Sequence, residues 1–175
     1  MGKTSFLPKG LTYRKVEREP RWVTLDVVGA DETAPPFQVL LKFMSAKRHA
    51  QIFSPVARAR GDEDQKSALQ KAQRIFVTEL LGDWRNFTIP VHNAIVRADH
   101  RIEPESFESA EDVEAYNKYL VEGMPFDVEF AISVYANSEA DKFQNLLVAA
   151  LTAFHDEAKR IETEGNGGSR TSAEA

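Results

Sequence analysis

The chain contains no cysteine among its 175 residues. That excludes disulfides, thiolate nucleophiles and thiolate metal ligands together. No 18 successive residues are apolar, so no segment reads as a membrane-spanning helix and no membrane partner is expected. The first ten residues carry Lys3, Pro8 and Lys9 and no apolar run of signal-peptide length. No internal repeat is visible. A chain of this length buries enough surface to fold without a staple, and the lack of cysteine fits a reducing cytoplasm.

Acidic residues are missing from positions 33 to 61, where Lys42, Lys47, Arg48, Arg58 and Arg60 cluster. Between positions 99 and 129 ten carboxylates stand against only Arg101 and Lys118. The formal net charge of −5 hides this separation. Segregated charge of this kind steers partners, or copies of one chain, into register. It equally describes two ordinary solvated faces.

Residues 22–28 alternate and are rich in β-branched and aromatic types, which predicts a strand with Trp22, Thr24 and Asp26 on one face. Pro35 and Pro36 close the turn that follows. Residues 37–43 place Phe37, Val39, Leu41 and Phe43 on one face of a second strand, with residues 13–16 as a candidate third. Ser45 is positioned to cap a helix reaching Phe53, interrupted by Pro55. Asp64 caps a longer helix over 65–81, with Leu69, Ala72, Ile75, Phe76 and Leu80 at helical spacing and Gly82 at its end. Residues 86–89 and 91–96 read either as short strands around Pro90 or as ordered loop. Ser109 opens a capped helix to Glu122, ended by Gly123. Met124 and Pro125 start the next, with Phe126, Phe130, Ile132 and Val134 on its apolar face. Ser138 caps a final helix to Ile161 that carries Phe143, Leu147, Leu151 and Phe154. The expectation is an α+β fold: a small N-terminal antiparallel hairpin or three-stranded sheet packed on a mainly α-helical body. Residues 1–44 and 45–162 form one unit, and 163–175 a disordered polar tail.

Reactive constellations are scarce. Gly2, Lys3 and Thr4 lack the glycine-rich turn that surrounds a phosphate. His49, His92, His100 and His155 fall at no metal-ligand spacing, although His92 and His100 flank Asp99 and folding could unite them. Glu103, Glu105, Glu108 and Glu111 read as a solvated loop feeding a helix rather than an acid/base pair. No Gly-x-Ser-x-Gly elbow occurs. Neither catalytic nor metal-binding residues are assigned, and no cofactor is expected. Lys42, Lys47, Arg48, Arg58 and Arg60, interleaved with Phe43, His49 and Phe53, form a basic-aromatic stretch of the kind that tracks a nucleic-acid backbone. The net acidic chain argues against that partner.

A helix over 74–81 running into Gly82, Asp83 and Trp84, then Phe107, a capped helix, Met124-Pro125 and the apolar stretch 126–135, resembles the tail assembly chaperones of long-tailed bacteriophages. The strand at 37–43 resembles that family's early strand, and the resemblance spans roughly residues 22–160. It implies a non-enzymatic, late-expressed protein of the bacterial host cytoplasm, absent from the mature virion. Its partners would be the tape measure protein and the major tail (tube) protein, with self-association as a further option. Members often have a longer frameshifted form, and the polar residues from Thr163 suit such a junction. A holdase needs apolar helix faces that a partner helix can enter. Phe143, Leu147, Leu151 and Phe154 are the candidate partner-binding residues, because a terminal helix peels away most easily.

Overall fold

The computed structural model describes residues 19–167, with a three-stranded sheet and six α-helices among them. Strand β1 (Arg21–Thr24) pairs antiparallel with β2 (Gln38–Leu41), matching Val23 to Val39 and Trp22 to Leu40. Strand β2 lies inside its expected stretch 37–43, whereas β1 starts one residue before the expected 22–28 and ends at Thr24; Leu25 extends the ladder by donating to the Phe37 carbonyl at 2.9 Å. The candidate strand at 13–16 lies outside the described residues. The third strand, β3 (Leu81–Arg85), comes from much later in the chain and pairs antiparallel with β2. Its sequence, Leu-Gly-Asp-Trp-Arg, is poor in strand formers, so pairing with β2 rather than propensity makes it a strand.

Gly82 therefore does not terminate a helix by free choice of backbone. It is the extra residue of a bulge: Leu40 opposes Asp83 while Leu41 opposes Leu81. A Cβ at position 82 would sit 3.3 Å from the Leu40 side chain. The preceding helix has already ended at Leu80, and Leu81 is at once its cap and the first strand residue.

Helix α1 (Ala46–Arg58) is capped as expected, with Ser45 Oγ accepting the Arg48 amide at 3.1 Å. It runs through Pro55 instead of breaking there. Proline removes the donor that would serve the Gln51 carbonyl, and Ser54 Oγ donates to that carbonyl at 3.2 Å instead. Helix α2 (Asp62–Leu80) begins two residues before Asp64, so Asp64 is not the cap. Asp62, Glu63 and Asp64 all lie in its first turn, where carboxylates favour the helix dipole. Its buried face is Ala72, Phe76, Val77 and Leu80, whereas Leu69 and Ile75 of the expected stripe remain about two-fifths exposed, at 38% and 40%.

Residues 86–96 are neither strands nor loop alone. Helix α3 (Ile89–Ile95) is capped by Thr88, whose Oγ1 accepts from the Val91 amide at 3.4 Å. Pro90 sits in its first turn, where a missing N–H costs nothing. Two short 3-10 turns, Ala98–His100 and Pro104–Ser106, lead to α4 (Ala110–Val121), where Ser109 Oγ accepts the Asp112 amide at 3.1 Å. Helix α5 (Val128–Ala136) starts later than Met124-Pro125, because Asp127 accepts the Phe130 amide at 2.8 Å. Helix α6 (Lys142–Gly167) follows a 3-10 turn, Glu139–Asp141. Ser138 precedes that turn rather than α6 itself, so it is not the helix's flanking cap, although its Oγ accepts the Phe143 amide at 2.8 Å across the turn. Helix α6 continues beyond Ile161 into the stretch expected to be disordered; positions 168–175 lie outside the described residues.

One core joins these elements. Val39, Leu41 and Trp84 from the sheet meet Phe76, Val77 and Leu80 of α2, Val134 of α5, and Phe143, Leu147 and Leu151 of α6. No helix among the described residues is long and apolar enough to cross a membrane.

Candidate functional site

The two segments that carry the family resemblance meet at Trp84. Its indole N–H donates to the Met124 carbonyl at 2.9 Å. Its ring lies 4.2 Å from that of Phe87, 5.1 Å from Phe126 and 5.8 Å from Phe130, the last two edge-on. Such edge-on rings add to plain area burial. The joint is tight. Gly123 has φ +86°, and a Cβ there would fall 2.9 Å from the Phe87 nitrogen. The Met124 amide donates to the Phe87 carbonyl at 2.8 Å. Gly123 thus ends α4 as its sequence suggests, and also permits contact with the chain after β3.

His92 is buried at the edge of this junction, stacked on Phe130 at 5.7 Å, with Nδ1 2.9 Å from Asn93 Oδ1. Burial pushes its pKa down, partly offset by Asn93. Asn93 also holds the next segment, bonding the Ile102 carbonyl and amide at 2.8 Å each. His100 is on the surface beside Arg97 and Asp99, so folding does not gather His92, Asp99 and His100 into a ligand set. His49 packs edge-on to Phe76, and burial lowers its pKa. His155 Nε2 contacts the Met44 carbonyl. Among the described residues, no group of three or more His, Asp or Glu could hold a metal ion. Glu103, Glu105, Glu108 and Glu111 are all solvent-exposed.

The basic stretch divides in two. Lys42 Nζ donates to the Thr78 carbonyl at 2.8 Å, and Arg48 grips Glu79 with two N–H donors, holding that carboxyl below its ordinary range. Lys47, Arg58 and Arg60 are exposed and form no ion pair among the described residues. Folding therefore spends two of the five cations on fixing α1 and β2 to the end of α2.

The four candidate partner-binding residues are core. Phe143 and Leu147 are fully buried, and Leu151 and Phe154 nearly so. Phe154 also lies beneath the Arg21 guanidinium, 4.9 Å from its ring centre, while Arg21 pairs with Glu157 at 2.7 Å. In this conformation they present no surface to a partner.

Two surface features escaped the sequence. Val28 is 84% exposed and lines a groove of about 300 Å³ with Val27, Ile95, Leu146 and Ala149. On the outer sheet face the Arg85 guanidinium stacks 3.8 Å above the Trp22 ring. Both depend on long-range register, which local pattern does not carry; only the period-2 alternation at Trp22 hinted at the second. Comparison with protein-family models, characterised proteins and solved structures gives no match.

Proposed function

We propose that this chain is a non-enzymatic binding protein, a phage tail assembly chaperone. It keeps the tape measure protein soluble in the host cytoplasm, helps recruit tail-tube subunits, and is left out of the mature virion. The observation that carries the reading is the junction at Trp84. The residues of the resemblance, Gly82-Asp83-Trp84 on one side and Met124-Pro125 with Phe126 and Phe130 on the other, are far apart in sequence. They nonetheless form one packed unit through the indole–Met124 bond. A motif whose parts support one another structurally is better grounded than scattered matches.

The test is co-expression with a tape measure protein encoded beside this chain. The soluble fraction of that protein should rise markedly when the chain is present. An unchanged soluble fraction, with the chain itself folded and abundant, would remove the proposal.

Nucleic-acid binding is the second reading, favoured by the three unpaired cations Lys47, Arg58 and Arg60. It is the weaker one, since Lys42 and Arg48 are engaged within the fold. It would require retention on DNA that weakens with salt and disappears when those three residues become alanine.

A further inference from the structure

The sheet has two edges, β1 and β3, on either side of β2, and the chain treats them differently. Leu25 donates to the Phe37 carbonyl in the register that sets Thr24 opposite Gln38. Antiparallel bonding alternates along a strand. Arg21, Val23 and Leu25 therefore bond inward to β2, and the amides and carbonyls of Trp22 and Thr24 point away from it. By the same alternation β2 bonds β3 through Gln38 and Leu40, which leaves Trp84 as the outward residue of the far edge. That outward amide is already taken, since Asp83 Oδ1 accepts it at 2.8 Å. The bulge at Gly82 and the charges of Asp83 and Arg85 blunt the β3 edge further.

Strand β1 has no such guard. Its pairing with β2 is regular from Arg21 to Thr24, and among the described residues no other strand pairs with it. Its one charged side chain, Arg21, is turned onto Phe154 and Glu157. On the opposite face Trp22 is half-buried beneath the Arg85 guanidinium, and Thr24 is exposed.

Trp22 and Thr24 also match each other. A second copy approaching antiparallel sets Trp22 opposite the partner's Thr24, and Thr24 opposite the partner's Trp22. Each pair exchanges both main-chain bonds, and Val23 faces the partner's Val23 on the two-fold axis. An aromatic side chain opposite a β-branched one is a favourable cross-strand pair, and the two Trp22 rings become diagonal neighbours within reach. The same register, carried outward, sets Arg21 opposite the partner's Leu25 and Glu19 opposite the partner's Val27. Val27 lines the groove that also holds Lys142. Lys142 Nζ donates to the Ala94 carbonyl and to Glu139, which leaves one of its three N–H groups for the incoming Glu19 carboxylate. No like charges face each other in this register, and the opposite charges meet twice, once at each end.

We propose that β1 is a dimerisation edge: two copies of this chain join β1 to β1 about a two-fold axis through Val23, so that one sheet runs through both. The contact is isologous and closes on itself, so it ends at a dimer. A foreign strand would find the same free amides, but a second copy brings the matching register and the complementary charge together.

The test reads mass and amide exchange on the full chain. Sedimentation equilibrium at rising concentration should show a monomer passing to a dimer. Thr24→Pro deletes an outward donor that the ladder to β2 does not use, and proline is tolerated on an edge strand in that orientation. With two donors lost per dimer, the dissociation constant should rise at least about tenfold, while circular dichroism and the urea midpoint show the variant folded. Should that variant not fold, exchange in the unaltered chain serves instead. Protection of the Trp22 and Thr24 amides should rise with protein concentration, and that of Val23, bonded within one copy, should not. A monomer at every concentration, or a dimer that folded Thr24→Pro leaves at full strength, would overturn the pairing. So would Trp22 and Thr24 amides whose protection is independent of concentration. The dimer does not rest on the chaperone reading: a failed co-expression leaves the edge intact, and a failed pairing leaves the chaperone reading standing.

Discussion

The Trp84 junction and the acidic excursion that follows α3 are built from the same chain by opposite means. At the junction Phe37, Trp84, Phe87 and Phe130 interlock, and Phe87 is wholly buried. Across the two 3-10 turns and α4, by contrast, no residue of α4 is buried. That segment is held at its margins: Asn93 bonded to Ile102, the Phe107 and Tyr116 rings 4.9 Å apart, and Gly123 against Phe87. Its carboxylates stay in water, so their mutual repulsion is screened and costs the fold little. Cohesion in this protein comes from aromatic burial, and charge is kept outside it.

Breaking the junction should have the largest effect. Phe87→Ala removes a fully buried ring with four ring neighbours, Phe37, Trp84, His92 and Phe130, and unfolding stability should fall by about 3–5 kcal/mol, read as a lower midpoint in urea. A loss under about 1 kcal/mol would mean that the junction is not what holds the core.

A smaller effect separates the junction from the surface by pH. Burial depresses the pKa of His92 and of His49 below the ordinary 6.5. The unfolded chain therefore binds protons that the folded chain refuses. Stability is fully present above about pH 6.5 and declines as pH falls from there toward the folded values. His92→Leu should flatten that decline in urea titrations run between pH 7 and 5. An unaltered slope would show that His92 does not titrate against folding.

The smallest change belongs to the excursion. Val113, 44% exposed on α4, should accept serine with a shift within about 0.5 kcal/mol. A cost several times larger would mean that α4 packs against more than its margins, and the contrast would fail.

What was readable locally came through in the sequence. Ser45 and Ser109 were recognisable as caps because a cap bonds its own first turn. Alternation located β1 and β2, since one face of each meets the core. The α+β class followed from those elements. The misreadings share one cause. Strand β3 carries a glycine and an aspartate and becomes a strand by pairing with β2, forty-odd residues earlier in the chain. Helix α1 passes Pro55 because Ser54 takes over the orphaned carbonyl. The stripe on α2 rotated toward Val77, away from Leu69 and Ile75, because α1 and α5 set which side is covered. The four residues chosen on α6 were correctly seen as one apolar face, and only packing revealed that the face is occupied.

Composition and pattern alone determined that the chain has no thiol chemistry, a β segment before its helices, capped helix starts and segregated charge. Tertiary structure decided the third strand, the internal use of Lys42 and Arg48, and the aromatic junction. The division is physical. Caps, alternation and helical stripes arise from neighbours a few residues apart, whereas pairing and burial depend on which distant segments the folded chain brings together.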